Sequence, residues 1–283
     1  YGKPKYPAIG LAYIAASIRE AGHSCTLIDM RDGKKLELKG DYDFIGFHCT
    51  ILNVKEVKRM NDMVKKEHPS IKTIVGGPQP SFNPTGFKEF DYVLKGEAER
   101  SMIDIIEGRV QPGIINGAVI ENLDSLPIPA WYLSGEKFDI LPIVATRGCP
   151  YQCIFCNIKS IFGTKHRSRK PGAIVAEIKF LKERYGIKNF EVIDDNFTIN
   201  PDFVIKFCTL LIKENLGLSW DCVQGARIDR LNEKAFFKMK ESGCRVVAMD
   251  PDSDVVEDFR KRAVDLSAID FLPQALVGIG KGG

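Results

Sequence analysis

Apolar runs alternate with amphipathic segments along the N-terminal half of the chain. Short runs rich in β-branched and aromatic residues predict strands that are buried on both faces. Segments in which apolar residues recur every three or four positions predict helices between those strands. The predicted helices span residues 7–21, 53–67 and 101–107, and the predicted strands span residues 25–30, 42–49, 72–75 and 90–94.

This alternation predicts right-handed crossovers and a doubly wound parallel sheet of the α/β class. Ligands in such sheets bind outside the carboxyl ends of the strands, where glycine lets a backbone approach a bulky ligand. The alternative for Gly76 and Gly77 is that they only turn the chain. Neither G-x-G-x-x-G after the first predicted strand nor G-x-x-x-x-G-K-S/T occurs, which argues against dinucleotide and P-loop sites. The residues at these strand ends include Asp29, Cys49, Thr50, Gly76, Gly77, Gly96 and Glu97.

The periodic pattern fails between residues 113 and 139, where two prolines interrupt residues 122–131 (NLDSLPIPAW). We place a linker at residues 117–139, between a first domain at 1–116 and a second at 140–283. The second half repeats strand and helix, which is typical of a parallel barrel or part-barrel. Its predicted strands span residues 140–145, 190–193, 218–223, 245–249 and 272–279, and its predicted helices span residues 174–185, 203–214, 233–242 and 255–265.

Polar side chains also follow the predicted strands of the second half. Function in parallel barrels lies at the carboxyl ends of the strands, so these side chains are candidate ligand contacts. The alternative for Asp195 is a capping role before the next helix. The candidates are Asp194, Asp195, Gln224, Arg227 and Asp250.

Composition narrows the function classes only slightly. Of the 283 residues, 44% are hydrophobic and 27% are charged, which excludes disordered, collagen-like and coiled-coil classes. A formal net charge of +3 is too small to indicate a nucleic-acid or membrane-surface partner. No apolar run approaches the roughly 20 residues of a membrane span.

Three of the eight cysteines lie close together, directly after the first predicted strand of the second domain: Cys149, Cys153 and Cys156. The other five are scattered in the way expected of reduced core thiols. Three thiolates are one ligand short of a closed zinc site or a fully cysteine-ligated cluster. Either a histidine such as His166 or His48 completes a zinc site, or a 4Fe–4S cluster is held through three irons and the fourth stays open. The C-x3-C-x2-C spacing differs from that of zinc ribbons and favours the cluster.

The cysteine loop resembles the signature of the radical S-adenosylmethionine (SAM) enzymes, C-x3-C-x-aromatic-C after the first barrel strand. Here the matching residues are Cys149, Cys153, Phe155 and Cys156. The resemblance implies that the three cysteines hold a 4Fe–4S cluster. Its open iron would bind the amino and carboxylate groups of SAM, and its electron would cleave SAM to a deoxyadenosyl radical. The resemblance also implies that Phe155 lies beside the adenine.

Further segments, in the same order, resemble the radical SAM subfamily that has a cobalamin-binding domain before the barrel. They are residues 7–16 (PAIGLAYIAA), 75–78 (VGGP), 96–99 (GEAE), 123–130 (LDSLPIPA), 167–171 (RSRKP), 194–198 (DDNFT) and 220–229 (WDCVQGARID). The resemblance implies a Rossmann-like cobalamin-binding domain at 1–116 and a radical SAM part-barrel at 140–283. It implies cobalamin contacts from Thr50, Gly76, Gly77, Pro78, Ser81, Gly96 and Glu97, and SAM contacts from Phe155, Asp194, Asp195, Gln224, Arg227 and Asp250.

The chain departs from the family pattern in three respects. It lacks the D-x-H-x-x-G motif that supplies a lower cobalt ligand in many cobalamin enzymes, so cobalamin is expected to bind without a protein histidine. Where the family has G-x-E-S after the fourth barrel strand, residues 247–253 read VAMDPDS, and Asp250 is expected to replace the glutamate. Against the family pattern, a first strand before Tyr1 and a sixth barrel strand are missing, so we expect a truncated chain.

These observations predict a radical SAM enzyme in which cobalamin delivers a methyl group to an unactivated carbon of a small-molecule or natural-product-like substrate. They imply an external electron donor of the flavodoxin or ferredoxin type and a reducing, anaerobic cytoplasm. One alternative is radical SAM cyclisation, rearrangement or carbon–carbon bond formation without methyl transfer. A second alternative is a non-catalytic metal- or corrinoid-binding protein.

Overall fold

The structure is a computed structural model that describes residues 6–28, 30, 36–38, 40–135, 137–153, 156–227 and 230–249. The chain divides into two units of dense internal contacts. The first unit comprises residues 1–137 and 148–167, and the second comprises residues 138–147 and 168–283. Among the described residues, no helix is both long and apolar enough to cross a membrane.

A parallel sheet of four strands forms the centre of the first unit. The strands lie side by side in the order in which they occur along the chain, and every neighbouring pair is parallel. The strands are β1 (Phe44–His48), β2 (Lys72–Gly76), β3 (Tyr92–Lys95) and β4 (Gly113–Asn116), and the helices are α1 (Ile9–Glu20), α2 (Val54–Glu67), α3 (Pro78–Phe82), α4 (Glu99–Ile106) and α5 (Lys159–Phe162).

Helices cover both faces of this sheet. Successive strand residues point to opposite faces, so Val75 and Ile74 on β2 enter different cores. Val75 packs in a cluster with Val57 and Met60 of α2, whereas Ile74 packs in a cluster with residues of α1 and α4, including Ile105. The sheet is therefore doubly wound, as the sequence predicts.

The second unit contains another parallel sheet of four strands, in the order β10-β9-β8-β5. Its core is aromatic: Trp220 stacks on Phe190 with ring centroids 5.8 Å apart and meets Phe197 and Phe207 edge to face. Four adjacent parallel strands with intervening helices form part of a barrel wall. The strands of this sheet are β5 (Ile140–Ile143), β8 (Asn189–Val192), β9 (Ser219–Ala226) and β10 (Cys244–Met249), and the helices are α6 (Pro171–Tyr185), α7 (Pro201–Glu214) and α8 (Glu233–Glu241). The two-residue strands β6 (Thr146–Arg147) and β7 (Arg167–Ser168) form a separate two-stranded sheet.

The predicted strand at residues 25–30 is wrong: residues 25–28 and 30 form no strand. Cys25 and Met30 pack against the two cores of the first unit, which explains the apolar pattern. A strand also needs the backbone of a neighbour, and in the described sheet β1 pairs only with β2. The segment instead lines a cavity of about 320 Å³ that α1 and β1 also line.

The other predicted elements that fall on described residues are confirmed within a few residues at each end. Strands β4, β6 and β7 and the short helices α3 and α5 are additions that the apolar pattern did not predict. The predicted helix at 255–265 and the predicted strand at 272–279 lie outside the described residues.

Candidate cofactor sites

The cysteine loop is closed at its base by backbone contacts. Gly148, with φ of +84°, allows the chain to pass so close to Lys165 that a Cβ at Gly148 would overlap the Lys165 carbonyl oxygen. The backbone N–H of Cys149 donates to the carbonyl oxygen of Gly163 at 3.4 Å, and that of Cys156 donates to the carbonyl oxygen of Cys153 at 3.1 Å. The loop therefore departs from and returns to the same place, immediately after the end of α5.

The three loop cysteines are accessible and form no disulfide. Cys149 and Cys153 are half-buried, and Cys156 is exposed. Phe155, the predicted adenine contact, lies outside the described residues. Among the described side chains, no three His, Cys, Asp or Glu residues converge in the way that would hold a metal ion.

Burial alters the chemistry of several cysteines elsewhere in the chain. Burial raises the pKa of the Cys49 thiol to about 11 and that of Cys208 to about 12. It also raises the pKa of Cys222 and Cys244. Because the thiolate is the metal ligand, these thiols are poor ligands at neutral pH. The accessible thiols of the loop are the donor set that fits an iron–sulfur cluster.

Asp194 lies at the carboxyl end of β8, and its side chain bonds to the protein itself. Oδ1 accepts a hydrogen bond from the backbone N–H of Ala145 at 2.7 Å, and Oδ2 accepts one from the hydroxyl of Thr146 at 2.8 Å. Burial raises the pKa of Asp194 to about 7, although its hydrogen bonds from Ala145 and from the hydroxyl and backbone N–H of Thr146 act in the opposite direction. Asp194 therefore fastens the end of β8 to Ala145, which follows β5, and to Thr146, which begins β6.

The remaining predicted SAM residues lie along the ends of neighbouring strands. Asp195 follows β8 and is half-buried, whereas Gln224 is exposed on β9. Arg227 follows β9, where its backbone N–H donates to the Thr198 hydroxyl at 2.8 Å and its carbonyl accepts from that hydroxyl at 3.1 Å. The structure thus brings these residues to one edge of the sheet, and Asp250 lies outside the described residues.

Asp195 does not cap the helix that follows it. The side chain of Asn200 accepts hydrogen bonds from the backbone N–H groups of Asp202 and Phe203 and so caps α7. This observation removes the capping alternative for Asp195 at that helix.

Ser81 joins the carboxyl ends of β2 and β3. Its hydroxyl donates to the carbonyl oxygen of Gly77 at 2.8 Å and accepts from the backbone N–H of Gly96 at 3.0 Å. A Cβ at Gly77 would lie 2.9 Å from the carbonyl oxygen of Cys49, and one at Gly96 would lie 3.2 Å from that of Ile161. Both glycines have positive φ, so contacts within the protein already account for their identity.

Two large apolar side chains are exposed at the carboxyl end of β1. Ile51 is 71% exposed and Leu52 is 94% exposed, directly after Thr50. The Asn53 side chain accepts from the backbone N–H of Thr50 at 2.7 Å and holds this turn in place. The pair forms a small exposed apolar surface at the ligand end of a parallel sheet. Sequence reasoning missed both residues, and the available signal was two consecutive aliphatic residues within a turn.

Glu97 and Pro78 complete the predicted cobalamin residues. Pro78 is the first residue of α3, after Gly76 and Gly77. Glu97 is buried, and its carboxylate lies 2.7 Å from Nη1 of Arg167. The charge of Glu97 therefore meets a guanidinium of the same unit, and sequence reasoning missed Arg167 as its partner.

Two family models match the chain. The B12 binding domain model matches residues 3–106, and the radical SAM superfamily model matches residues 143–265. The chain belongs to the radical SAM superfamily and carries a B12 binding domain. The cofactors of these two domains are cobalamin, a 4Fe–4S cluster and SAM.

Curated relatives of this radical SAM chain include methyltransferases and a cyclase. An uncharacterised methyltransferase of Pyrococcus horikoshii is 30% identical over 85% of this chain and 60% of its own length. The cytidylyl-2-hydroxyethylphosphonate methyltransferase of Streptomyces wedmorensis is 30% identical over 88% and 62%. The anaerobic magnesium-protoporphyrin IX monomethyl ester cyclase of Rubrivivax gelatinosus is 28% identical over 76% and 46%. The chain thus spans between about half and three fifths of these relatives' length.

A solved structure with the same fold is the radical SAM methyltransferase TsrM of Kitasatospora setae. Its complex with tryptophan and a SAM analogue matches with a TM-score of 0.68 at 15% identity, over 88% of this chain and 57% of that one. Its complex with cobalamin and a 4Fe–4S cluster matches with a TM-score of 0.66. The likeness establishes the α/β fold with its two domains.

Proposed function

We propose that this radical SAM chain is the cofactor-binding region of a cobalamin-dependent methyltransferase that acts on an unactivated carbon. The observation that carries the proposal is the placement of the three accessible cysteines, in a loop packed on the carboxyl end of the first sheet. When bound, the 4Fe–4S cluster supplies the electron that cleaves SAM, and cobalamin supplies the methyl group. Cys149, Cys153 and Cys156 hold the cluster in this proposal.

The SAM contacts come from the sheet of the second unit. Arg227 offers a planar donor fork for the SAM carboxylate, and Asp195 an acceptor for the amino group or ribose. Gln224 contributes a neutral amide that can donate and accept. Asp194 supports these residues indirectly, because its hydrogen bonds from Ala145 and Thr146 hold the end of β8 in place. Phe155 beside the adenine and Asp250 at the end of β10 complete the proposed set.

The cobalamin contacts come from the rim of the first sheet. Gly76, Gly77, Pro78, Ser81 and Gly96 shape that rim, and Thr50 places the exposed pair Ile51 and Leu52 beside it. The apolar pair would shield bound cobalamin from water, and the proposal assigns no protein histidine as a cobalt ligand. Glu97 acts through Arg167 rather than on cobalamin.

The proposal extends to the setting of the reaction. We place the B12 binding domain at 1–116, a linker at 117–139 and the radical SAM domain at 140–283, which is compatible with family matches at 3–106 and 143–265. The substrate is a small molecule, and the electron donor is a flavodoxin- or ferredoxin-type protein. The reaction takes place in the reducing cytoplasm.

A second candidate function is cyclisation without methyl transfer. The similarity to the Rubrivivax gelatinosus cyclase favours it, because that relative shares the same two-domain region. The products distinguish the two: methyl transfer from SAM through cobalamin leaves S-adenosylhomocysteine as well as deoxyadenosine and methionine, whereas cyclisation leaves only deoxyadenosine and methionine.

The test is anaerobic reconstitution of the chain with iron, sulfide and hydroxocobalamin. We expect about four irons per chain, corrinoid absorbance that survives desalting, and both SAM products after reduction. Zinc or no metal would refute the cluster, and loss of the corrinoid on desalting would refute the cobalamin branch. Cys25→Ala is the matched control for the loop cysteines, because Cys25 is a partly accessible thiol outside the loop.

A further inference from the structure

Arg167 and Glu97 form an ion pair that is almost completely buried. Their side chains are 3% and 1% exposed, with Nη1 of Arg167 and Oε1 of Glu97 2.7 Å apart. The same guanidinium donates to the carbonyl oxygens of Ile120 at 2.6 Å and Phe162 at 2.9 Å. One side chain therefore joins the end of β3, the segment after β4 and the end of α5.

Stability alone does not account for this pair. Removal of two charges from water costs several kcal/mol per ion, and well-packed apolar residues of similar volume are often as stable or more so. A guanidinium, unlike an ammonium, is a rigid planar fork whose donors point in fixed directions. Here two of its donors end on carbonyl oxygens from two segments, and Nη1 also lies beside the Glu97 carboxylate of a third segment, as an ion pair without a hydrogen bond to Oε1. The geometry therefore favours a role in which the pair holds these three segments in place.

Backbone contacts at three glycines surround the pair. A Cβ at Gly96 would lie 3.2 Å from a carbonyl oxygen of α5, one at Gly117 would overlap the carbonyl oxygen of Glu97, and one at Gly148 would overlap that of Lys165. Helix α5 also packs against α3, beside the proposed cobalamin rim. The segment that carries the cysteines thus lies backbone to backbone on the end of β3.

We propose that the Glu97–Arg167 pair is a positioning element that fixes the cysteine loop to the carboxyl edge of the B12 binding domain. The inference rests on the proposed function, because it concerns the separation of the cluster from cobalamin. The loop departs at Gly148 and returns at Lys165, two residues before Arg167. A change in the direction of Arg167 therefore shifts the base of the loop relative to the rim at Gly77 and Ser81.

The experiment uses the full chain loaded with cluster and cobalamin under anaerobic conditions. With the cluster reduced and cobalt in its Co(II) state, the paramagnetic resonance relaxation of cobalt reports its distance from the cluster. Arg167→Lys keeps the charge but replaces the fork with a single ammonium that cannot reach all three acceptors. We expect normal iron and corrinoid content and an altered relaxation rate. We also expect the turnover of SAM to fall about 100-fold, as for a misplacement of roughly 1 Å.

Glu97→Asp and Glu97→Gln separate position from charge. Asp keeps the charge but withdraws the carboxylate by one methylene, so we expect the relaxation rate to change. Gln keeps the length and one acceptor oxygen, so we expect a smaller change in relaxation than in Glu97→Asp. If circular dichroism shows that Arg167→Lys does not fold, the two Glu97 variants test the inference instead. Equal relaxation in both, at the wild-type rate, overturns the inference.

Arg109→Lys is the matched control. Arg109 makes an ion pair with Asp104 at 2.8 Å on the surface of the same unit and is 57% exposed, so we expect wild-type relaxation and turnover. Wild-type protein that binds no cluster refutes the proposed function itself. Wild-type protein that binds both cofactors, together with an unaltered Arg167→Lys variant, refutes only the positioning role.

Discussion

Asp194 is a buried carboxyl group that makes the stability of the second unit depend on pH. Burial raises its pKa from an ordinary value of 3.8 to about 7, against the effect of its hydrogen bonds from Ala145 and Thr146. One pKa unit corresponds to about 1.36 kcal/mol, so a rise of about three units is equivalent to about 4 kcal/mol.

The sign follows from where the proton is held. Below pH 3.8 the carboxyl is protonated in both the folded and the unfolded chain, and its contribution is fully present. Between pH 3.8 and about 7 only the folded chain keeps the proton, so stability is lost as the pH rises. From pH 5 to pH 8 this loss is about 3 kcal/mol, obtained from the two pKa values.

Asp194→Asn removes the titration and keeps the size and shape of the side chain. The amide oxygen still accepts from the N–H of Ala145, and the amide nitrogen donates to the Thr146 hydroxyl. We therefore expect the variant to gain about 3 kcal/mol relative to wild type between pH 5 and pH 8. Urea unfolding followed by Trp220 fluorescence in a Trp131→Phe background measures the second unit separately, because the chain has two tryptophans, one in each unit.

Asp194→Ala is the control for the hydrogen bonds. It leaves the buried N–H of Ala145 without its acceptor, so we expect a loss of about 1–3 kcal/mol at low pH, where Asp194→Asn is close to wild type. A difference between Asp194→Asn and wild type that does not change with pH, or that falls as the pH rises, would show that the carboxyl is charged in the folded protein.

Three further predictions concern the cofactor sites. Cys153→Ala is expected to lose bound iron and SAM cleavage, and Cys25→Ala to keep both; equal iron content would contradict the ligand assignment. Gly148→Ala is expected to cost about 1–3 kcal/mol in urea unfolding because of its positive φ and the overlap at Lys165. Gly172→Ala, in open space within α6, should gain about 0.5–1 kcal/mol. Leu52→Ser is expected to weaken cobalamin retention about tenfold, measured by desalting at graded concentrations, because about 1.5 kcal/mol of apolar contact is lost.

Apolar periodicity predicted most of the fold because most elements bury a face. Strand β4 escaped detection because its residues are largely exposed at a sheet edge. The five residues of α3 and four of α5 are too few to show a helical period. The strand predicted at residues 25–30 is wrong for the opposite reason. The apolar pattern of these residues indicates that they are buried, and burial does not specify a backbone partner.

The residues of the candidate site also divide into those that the sequence identified and those that only the fold revealed. Spacing identified the cysteine loop because its three ligands are close together in the sequence. Nothing local indicated that Glu97 would meet Arg167, since the two residues come from distant parts of the chain and only the fold brings them together. Asp194 was found at a strand end, yet its sequence context does not reveal that its oxygens are occupied by Ala145 and Thr146.

The attachment of residues 148–167 to the first unit also determines the order in which parts of the protein fold. N-terminal regions generally fold first during synthesis, and contacts between distant residues form late. The first sheet can therefore exist before the cysteine loop leaves the ribosome, and the loop then docks onto a finished surface through Arg167. Iron–sulfur delivery would act on a loop that is already seated, so variants with a defective first sheet should accumulate as cluster-free chains even when all three cysteines are intact.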